Sequence, residues 1–159
     1  MKNNLLLLLL STFFIGCTTP TSPNNHNDYD ASLALKYGAD DYGMKKFVMA
    51  FLKKGPNRNL SKEEAFQLQK AHLENINKMA EEGKLVLAGP FFGDGDIRGI
   101  YIFDVESIEE AEALTKTDPA IQAGSLVMDL KEWYGSAAVM AIPDLHKKLE
   151  KKNVTEGER

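Results

Sequence analysis

Two side chains in this sequence could together carry acid–base chemistry, His72 and Asp118. The apolar residues of segment 61–82 recur with a helical period, and His72 falls on their face, so its imidazole is predicted to point into an apolar stripe. Asp118 is the nearest carboxylate by topology, because both helices of the predicted fold lie on one side of its sheet. A histidine beside a carboxylate in a partly dry pocket can be held in one tautomer and can transfer protons near neutral pH.

Both residues also have a simpler structural interpretation. His72 could be a core histidine that bonds to a backbone carbonyl. Asp118 could be the N-cap of a short helix whose first residue is Pro119. The two interpretations of Asp118 are compatible, since a capping carboxylate keeps free lone pairs.

Three further residues are candidates for substrate contacts. Arg58 follows Gly-Pro-Asn in a loop before the long helix, where it could be solvated or could anchor a substrate carboxylate. Trp133 and Tyr134 end the last strand and could line a pocket wall, although such a pair is more often part of a core. Arg98, in a hairpin strand, is interpreted as structural or solvated. No Cys/His cluster has zinc spacing, so we predict no metal site and no cofactor.

Composition places the chain among ordinary globular proteins. The 159 residues suffice for one domain with its own core, but not for two ordinary domains. The net charge of −4 provides no basic surface, so nucleic-acid binding is not expected. A single cysteine excludes an internal disulfide framework.

The N-terminal residues 1–16 are predicted to be a signal peptide. The apolar run Leu5–Ile15 is much shorter than the roughly 20 residues of a membrane-spanning helix. The stretch Phe14–Cys17 resembles a bacterial lipobox, in which the cysteine is lipidated and becomes the mature N-terminus. We therefore predict lipidation of Cys17 and attachment to the bacterial cell envelope. The alternative is an ordinary secretory signal with an incidental cysteine.

The rest of the chain divides into three parts. Residues 17–43 are rich in Thr, Pro, Asn and Asp and are predicted to form a flexible tether after the lipidated cysteine. Residues 44–140 form the predicted folded domain. Residues 141–159 are a charged C-terminal tail, predicted to be a short solvated helix.

The folded domain has the pattern of an α+β, ferredoxin-like βαββαβ fold. Ser61 with Glu64, and Ser107 with Glu110, are capping boxes that start the two helices, and Gly83 ends the first helix. The predicted strands are 45–53, 85–92, 97–105 and 126–134, and the predicted helices are 61–82 and 107–116.

The strands are apolar on both faces, whereas two helices can cover only one face. An open apolar sheet face would exceed what a monomer normally exposes. We favour a two-fold homodimer as the cover. The alternative is that segment 137–149 folds back over the sheet.

Six stretches of the domain closely resemble the YCII-related (YciI-like) domain. They are FLKKGPNR at 51–58, QKAHLENI at 69–76, EEGKLVLAGPF at 81–91, GDIRGIYIFDVES at 95–107, EEAEALTKTDPAIQAG at 109–124 and EWYG at 132–135. The resemblance implies a dimeric α+β barrel of two ferredoxin-like sheets and a pocket with a histidine–aspartate pair at His72 and Asp118. It also places Arg58, Gly89 and Pro90 near that pocket.

The resulting functional prediction is a small envelope enzyme without a cofactor. Its His–Asp pair would perform general acid–base chemistry on a small anionic or aromatic substrate, since related branches of the family include a dehydrochlorinase-like activity. The alternative is a non-catalytic lipoprotein module that binds a small ligand. A monooxygenase or haem-handling role has no axial-ligand pattern to support it.

Overall fold

The computed structural model describes residues 28–154. The predicted signal peptide, residues 1–16, and the predicted lipidation site, Cys17, lie outside the described residues. None of the helices between residues 28 and 154 is long and apolar enough to cross a bilayer.

The described residues form one four-stranded antiparallel sheet and five α-helices. In chain order the elements are α1 (Ala31–Tyr37), β1 (Met44–Lys54), α2 (Lys62–Glu81), β2 (Leu85–Pro90), β3 (Ile97–Phe103), α3 (Ile108–Thr115), α4 (Pro119–Gln122), β4 (Leu126–Ser136), a 3₁₀ helix (Ala137–Ala141) and α5 (Ile142–Leu149). The strand order is β2-β3-β1-β4, and every neighbouring pair is antiparallel. The predicted ferredoxin-like order of elements is confirmed.

The ends of α2 follow from its capping residues, as predicted. The Ser61 hydroxyl accepts a hydrogen bond from the Glu64 amide at 3.2 Å, and the Glu64 carboxylate accepts from the Ser61 amide at 2.8 Å. Gly83 has a φ of 72°, a left-handed conformation that favours glycine just past a helix end. Both helix ends are therefore specified by residues within a few positions of them.

The start of α3 differs from the prediction in one respect. The Ser107 hydroxyl accepts from the Glu110 amide at 3.2 Å, but the Glu110 carboxylate does not return to Ser107. It accepts instead from the Glu106 amide at 3.2 Å and from Lys84 Nζ at 2.8 Å. The second capping box is half formed because the glutamate pairs with a lysine next to β2.

The main core lies between the sheet and the two helices α2 and α3. Val48 and Phe103 from the sheet are fully buried, together with Ala111 of α3, and Met79 of α2 is 2% exposed. Burying an apolar side chain of the size of Val, Phe or Met stabilises the fold by about 1.5–3 kcal/mol. This packing holds α2 against the sheet, and α2 carries His72.

The opposite sheet face is covered at one end by the C-terminal segment. There Val139 and Met140 of the 3₁₀ helix pack on Phe47, Val86 and Ile102. The C-terminal segment thus folds back over part of the sheet, which was the less favoured of the two predicted covers.

The other end of this face is partly exposed in the described part of the chain. Ile97 and Val127 flank Lys53 in the strand register and are 40% and 42% exposed. Within residues 28–154, this end of the sheet face therefore keeps partly exposed apolar side chains.

The predicted flexible tether contains an ordered helix. Asp30 caps α1 by accepting from the Ser32 and Leu33 amides at 2.9 and 3.0 Å, and Gly38 ends it with a φ of 65°. The helix packs on the 3₁₀ helix, and Lys36 lies 3.4 Å from Asp144 of α5. The prediction of a flexible segment up to residue 43 is thus corrected for residues 31–37, because local caps and the C-terminal segment order them.

Candidate functional site

His72 and Asp118 form a buried hydrogen-bonded pair. His72 Nδ1 lies 2.7 Å from Asp118 Oδ2. Asp118 is fully buried and His72 is 7% exposed. The two residues come from α2 and from the start of α4, so the structure brings together the two side chains that the sequence suggested.

The second oxygen of Asp118 is the N-cap of α4. Asp118 Oδ1 accepts a hydrogen bond from the Ala120 amide at 2.8 Å, and Pro119 occupies the first turn. Asp118 therefore contacts His72 and caps α4 at once, with one carboxylate oxygen for each. The cap also fixes the orientation of the carboxylate, and this orientation directs Oδ2 towards His72.

This arrangement determines which nitrogen of His72 can accept a proton. An ionised carboxylate is only an acceptor, so Nδ1 must donate its proton to Asp118. In the neutral imidazole the other nitrogen, Nε2, then carries the free lone pair. The pair thus presents Nε2 as the basic atom.

Tyr101 of β3 is the third member of the cluster. Its hydroxyl lies 3.4 Å from His72 Nε2, and the two rings are stacked with centroids 6.3 Å apart. Burial, with a smaller contribution from the nearby Asp118 charge, raises the pKa of Tyr101, so its hydroxyl stays protonated and can donate to Nε2. The sequence pattern did not single out Tyr101; the available signal was its place in β3, two residues before the core residue Phe103.

The loop that carries Arg58 is held against the turn after α4. The Gly55 amide donates to the Ser125 carbonyl and the Asn57 amide to the Gly124 carbonyl, both at 2.9 Å. The two backbone segments approach so closely at Gly55 that a Cβ atom there would overlap the Gly124 carbonyl oxygen. Arg58 Nη1 then donates to the Ser125 carbonyl at 3.1 Å.

A pocket of about 210 Å³ lies between this loop, α2 and the start of β3. Its lining consists of Arg58, Leu60, Ala65, Leu68, Gln69, Arg98, Ala120, Ser125 and Leu126. His72 and Asp118 are not among these residues, but Leu68 lies one turn before His72 and Ala120 is bonded to Asp118. The His72–Asp118 pair therefore lies next to the pocket wall. Arg58 and Arg98 line the same pocket.

The remaining candidate residues do not line this pocket. Gly89 and Pro90 lie on the edge strand β2, where they pair with Ile100 and Gly99 of β3. Trp133 lies on the opposite sheet face, where its ring contacts Phe47 at a centroid distance of 5.7 Å. The sheet separates Trp133 from His72 because strand alternation directs its side chain away from the helices.

The residues between 28 and 154 contain no group of three or more His, Cys, Asp or Glu side chains arranged to hold a metal ion. The charged and polar residues that line the pocket are Arg58, Arg98, Gln69 and Ser125. What these groups offer a ligand is positive charge and hydrogen-bond donors.

Known proteins that are similar to this chain include one from Bacillus subtilis and one whose structure is solved. Uncharacterized protein YjpA of Bacillus subtilis (strain 168) is 32% identical over 62 residues, which is 39% of this chain and 71% of YjpA. The solved structure of 5-chloro-2-hydroxyhydroquinone dehydrochlorinase (TftG) from Burkholderia phenoliruptrix AC1100, in complex with 2,5-dihydroxybenzoquinone, is 23% identical with a TM-score of 0.42. That match covers 54% of this chain and 92% of the TftG chain.

The family match includes the whole of the site. The model of the YCII-related domain matches residues 46–134, more than half of the chain. This range contains most of β1 and β4, all of β2 and β3, the helices α2 to α4, the His72–Asp118 pair and both pocket arginines. The chain therefore belongs to the YCII-related domain family.

Proposed function

We propose that this protein is a cofactor-independent enzyme in which His72 exchanges a proton with a small anionic or aromatic substrate. The observation that carries the proposal is the buried His72–Asp118 hydrogen bond of 2.7 Å beside a pocket lined by two arginines. A histidine oriented by a carboxylate is the usual arrangement of a general base.

The proposed reaction begins with abstraction of an activated proton. A substrate C–H bond breaks, its proton moves to His72 Nε2, and its electron pair stays on the substrate. Asp118 stabilises the imidazolium that forms, because its carboxylate already accepts the Nδ1 proton. The electron pair then either takes up the proton at another atom or expels an anionic leaving group, which is isomerase or lyase chemistry.

Tyr101 is a positioning residue in this scheme. Its ring stacks on the imidazole, and its hydroxyl shares Nε2 with the substrate. At 3.4 Å that hydrogen bond is long, so a substrate proton can compete for the same lone pair. A general base of this kind accelerates proton transfer by about 10²–10⁴-fold.

Proton exchange in heavy water tests this proposal without knowledge of the product. Small hydroxylated aromatic compounds and carbonyl acids are incubated with the protein in D₂O, and NMR records deuterium at the activated carbon. We expect exchange with the native protein and loss of about 10²–10⁴-fold in His72→Gln. His146→Gln is the matched control, since His146 lies in α5 and pairs with Glu150.

One result with His72→Gln would contradict catalysis by this residue. If His72→Gln unfolds more easily in urea but exchanges deuterium as fast as the native protein, His72 is a core residue. The control variant separates this result from a general effect of losing an imidazole.

A non-catalytic ligand-binding module is the second candidate function. The observation that favours it is that His72 is 7% exposed and is not part of the pocket wall. Such a module would release its ligand chemically unchanged and would catalyse no exchange in D₂O. Mass spectrometry of a ligand that co-purifies with the protein distinguishes the two functions.

We also propose that the protein is anchored in the bacterial cell envelope through lipidated Cys17. The proposal rests on the apolar run Leu5–Ile15 and the lipobox-like stretch that follows it. Mass spectrometry of the mature N-terminus tests it. A diacylated or triacylated Cys17 is expected, and an unmodified cysteine behind a retained signal would contradict the anchor.

A two-fold homodimer is the assembly that we propose for the domain. The open end of the sheet face, with Ile97 and Val127 about 40% exposed, supports it. Light scattering during gel filtration should give twice the chain mass. Val127→Glu should shift the molecule to a monomer, whereas Leu149→Glu, on the exposed side of α5, should not. A native monomer at micromolar concentration would contradict the dimer.

A further inference from the structure

Arg98 lines the same pocket as Arg58, and nothing in the sequence pattern assigned it a role there. We infer that the two guanidinium groups together bind a small dianion, of the dicarboxylate class, and that Arg98 determines this specificity. The inference rests on the proposed function, because the dianion would be the substrate of the proposed reaction. It concerns binding alone, so it can be tested separately from catalysis.

A β-bulge explains why Arg98 reaches the pocket. In the register of β1 with β3, Leu52 pairs with Gly99, but the next residue, Lys53, pairs with Ile97. Arg98 is thus left without a cross-strand partner in β1. Simple alternation would place Arg98 on the face of Ile100 and Ile102, whereas a bulge re-aims the side chain of the extra residue.

The charge of the pocket is opposite to that of the chain. Its nine lining residues include two arginines and no acidic residue, while the whole chain carries a net charge of −4. Among residues 28–154, neither Arg58 nor Arg98 forms an ion pair with an aspartate or glutamate. Two unneutralised positive charges in one pocket favour a ligand with two negative charges.

Both guanidinium groups are already oriented. Arg58 Nη1 donates to the Ser125 carbonyl at 3.1 Å, and Arg98 Nη1 donates to the Gly93 carbonyl at 2.7 Å. A guanidinium has five N–H donors, so each arginine keeps further donors for a carboxylate. This prior orientation reduces the entropy that would be lost when a ligand binds.

The size and the other lining residues limit the ligand further. The pocket volume of about 210 Å³ is small for a ligand site, which favours a small molecule as the occupant. Leu60, Leu68 and Leu126 provide apolar contacts for a short hydrocarbon body. Gln69 and Ser125 supply further polar groups.

The experiment compares succinate with butyrate, which has the same number of carbon atoms and one carboxylate. Calorimetry measures both dissociation constants for the full chain and for Arg58→Gln, Arg98→Gln and the double variant. We expect the native protein to bind succinate at least tenfold more tightly than butyrate. Each single variant should weaken succinate binding by about 10- to 100-fold, the range for hydrogen bonds to charged groups. In the double variant the two effects should be non-additive, because both arginines contact one ligand.

Two control variants complete the design. Lys54→Gln removes the same charge from an exposed lysine that donates to the Asp94 carbonyl and does not line the pocket, so it should change succinate affinity less than about twofold. If Arg98→Gln does not fold, Arg98→Lys keeps the charge without the fork of donors and should still weaken succinate binding by several-fold.

Three results would overturn the inference: a native protein that binds no succinate at millimolar concentration, equal affinity for succinate and butyrate, or native affinity in Arg98→Gln. His72→Gln separates this inference from the proposed catalysis. Intact succinate binding in that variant, together with a native protein that exchanges no deuterium on any candidate, would leave the dianion site standing and the catalytic proposal refuted.

Discussion

His72 and Asp118, 46 residues apart in the chain, share a hydrogen bond of 2.7 Å that joins α2 to α4. The same carboxylate caps α4 through its other oxygen. One buried side chain thus stabilises a local helix start and orients an imidazole from another element. The two contributions can be separated by substitutions that keep one and remove the other.

Replacement of Asp118 should separate capping from orientation of the imidazole. Asp118→Ala removes the cap, which costs about 0.5–2 kcal/mol, and leaves His72 Nδ1 without a partner, which costs about 1–3 kcal/mol. Asp118→Asn keeps an oxygen for the Ala120 amide, so its loss of stability should be clearly smaller. Urea unfolding measures both free energies.

The asparagine variant should also invert the tautomer of His72. Its amide nitrogen donates to Nδ1, so the ring proton moves to Nε2 and the basic lone pair is lost from that atom. We expect the ¹⁵N shifts of the ring to exchange their order and proton exchange on substrates to fall. An unchanged tautomer, or stability as low as that of Asp118→Ala, would contradict this account.

Gly55→Ala should disturb both stability and ligand binding. The new methyl group would overlap the Gly124 carbonyl oxygen, and overpacking of this kind costs about 1–3 kcal/mol. Displacement of the loop should also weaken succinate binding, because the loop carries Arg58. Gly83→Ala is the control: no atom lies within 4 Å of its Cβ, and its left-handed φ makes it about 1–2 kcal/mol less stable with unchanged binding. Native binding in Gly55→Ala would disprove the positioning role of this contact.

The N-cap of α2 should contribute measurably to the stability of the whole domain. Ser61→Ala removes the hydroxyl that accepts from the Glu64 amide and should lower the free energy of unfolding by about 1 kcal/mol. Ser61→Gly should cost only a few tenths of a kcal/mol, because glycine is tolerated at this position. Thermal and urea unfolding compare the variants, and equal losses in both would argue against a capping effect.

Asp129 should make stability depend on pH in the acid range. Hydrogen bonds from Lys53 at 2.8 Å and then from Lys131 lower the pKa of Asp129 from 3.8 to about 2. Because the folded state favours the ionised form, the stabilisation is present above about pH 4 and is lost as the pH falls towards about 2. The difference in unfolding free energy between the native protein and Asp129→Asn should therefore shrink over that interval. A constant difference from pH 6 to pH 2 would show that the ion pairs contribute no pH-dependent stability.

The local features of the fold were readable from neighbouring residues. Ser61 and Glu64 predicted the start of α2, and Asp118 with Pro119 predicted α4, because a cap involves residues within about three positions of each other. The same reasoning predicted a complete capping box at Ser107, but Glu110 pairs with Lys84 instead. It also missed α1, whose caps lie in a segment that composition alone marks as a tether.

The sequence by itself determined the order of elements from β1 to β4, the ends of α2, the family and the histidine–aspartate pair, because these depend on local hydrogen bonds, residue periodicity and recurring motifs. Only the tertiary structure decided that Arg98 enters the pocket, that Tyr101 stacks on His72 and that Trp133 lies on the far side of the sheet. These placements depend on strand register, and one unpaired residue in a bulge is enough to re-aim a side chain. The bulge depends on the pairing of β3 with β1, which lies far away in the chain, and the local pattern of β3 does not indicate it.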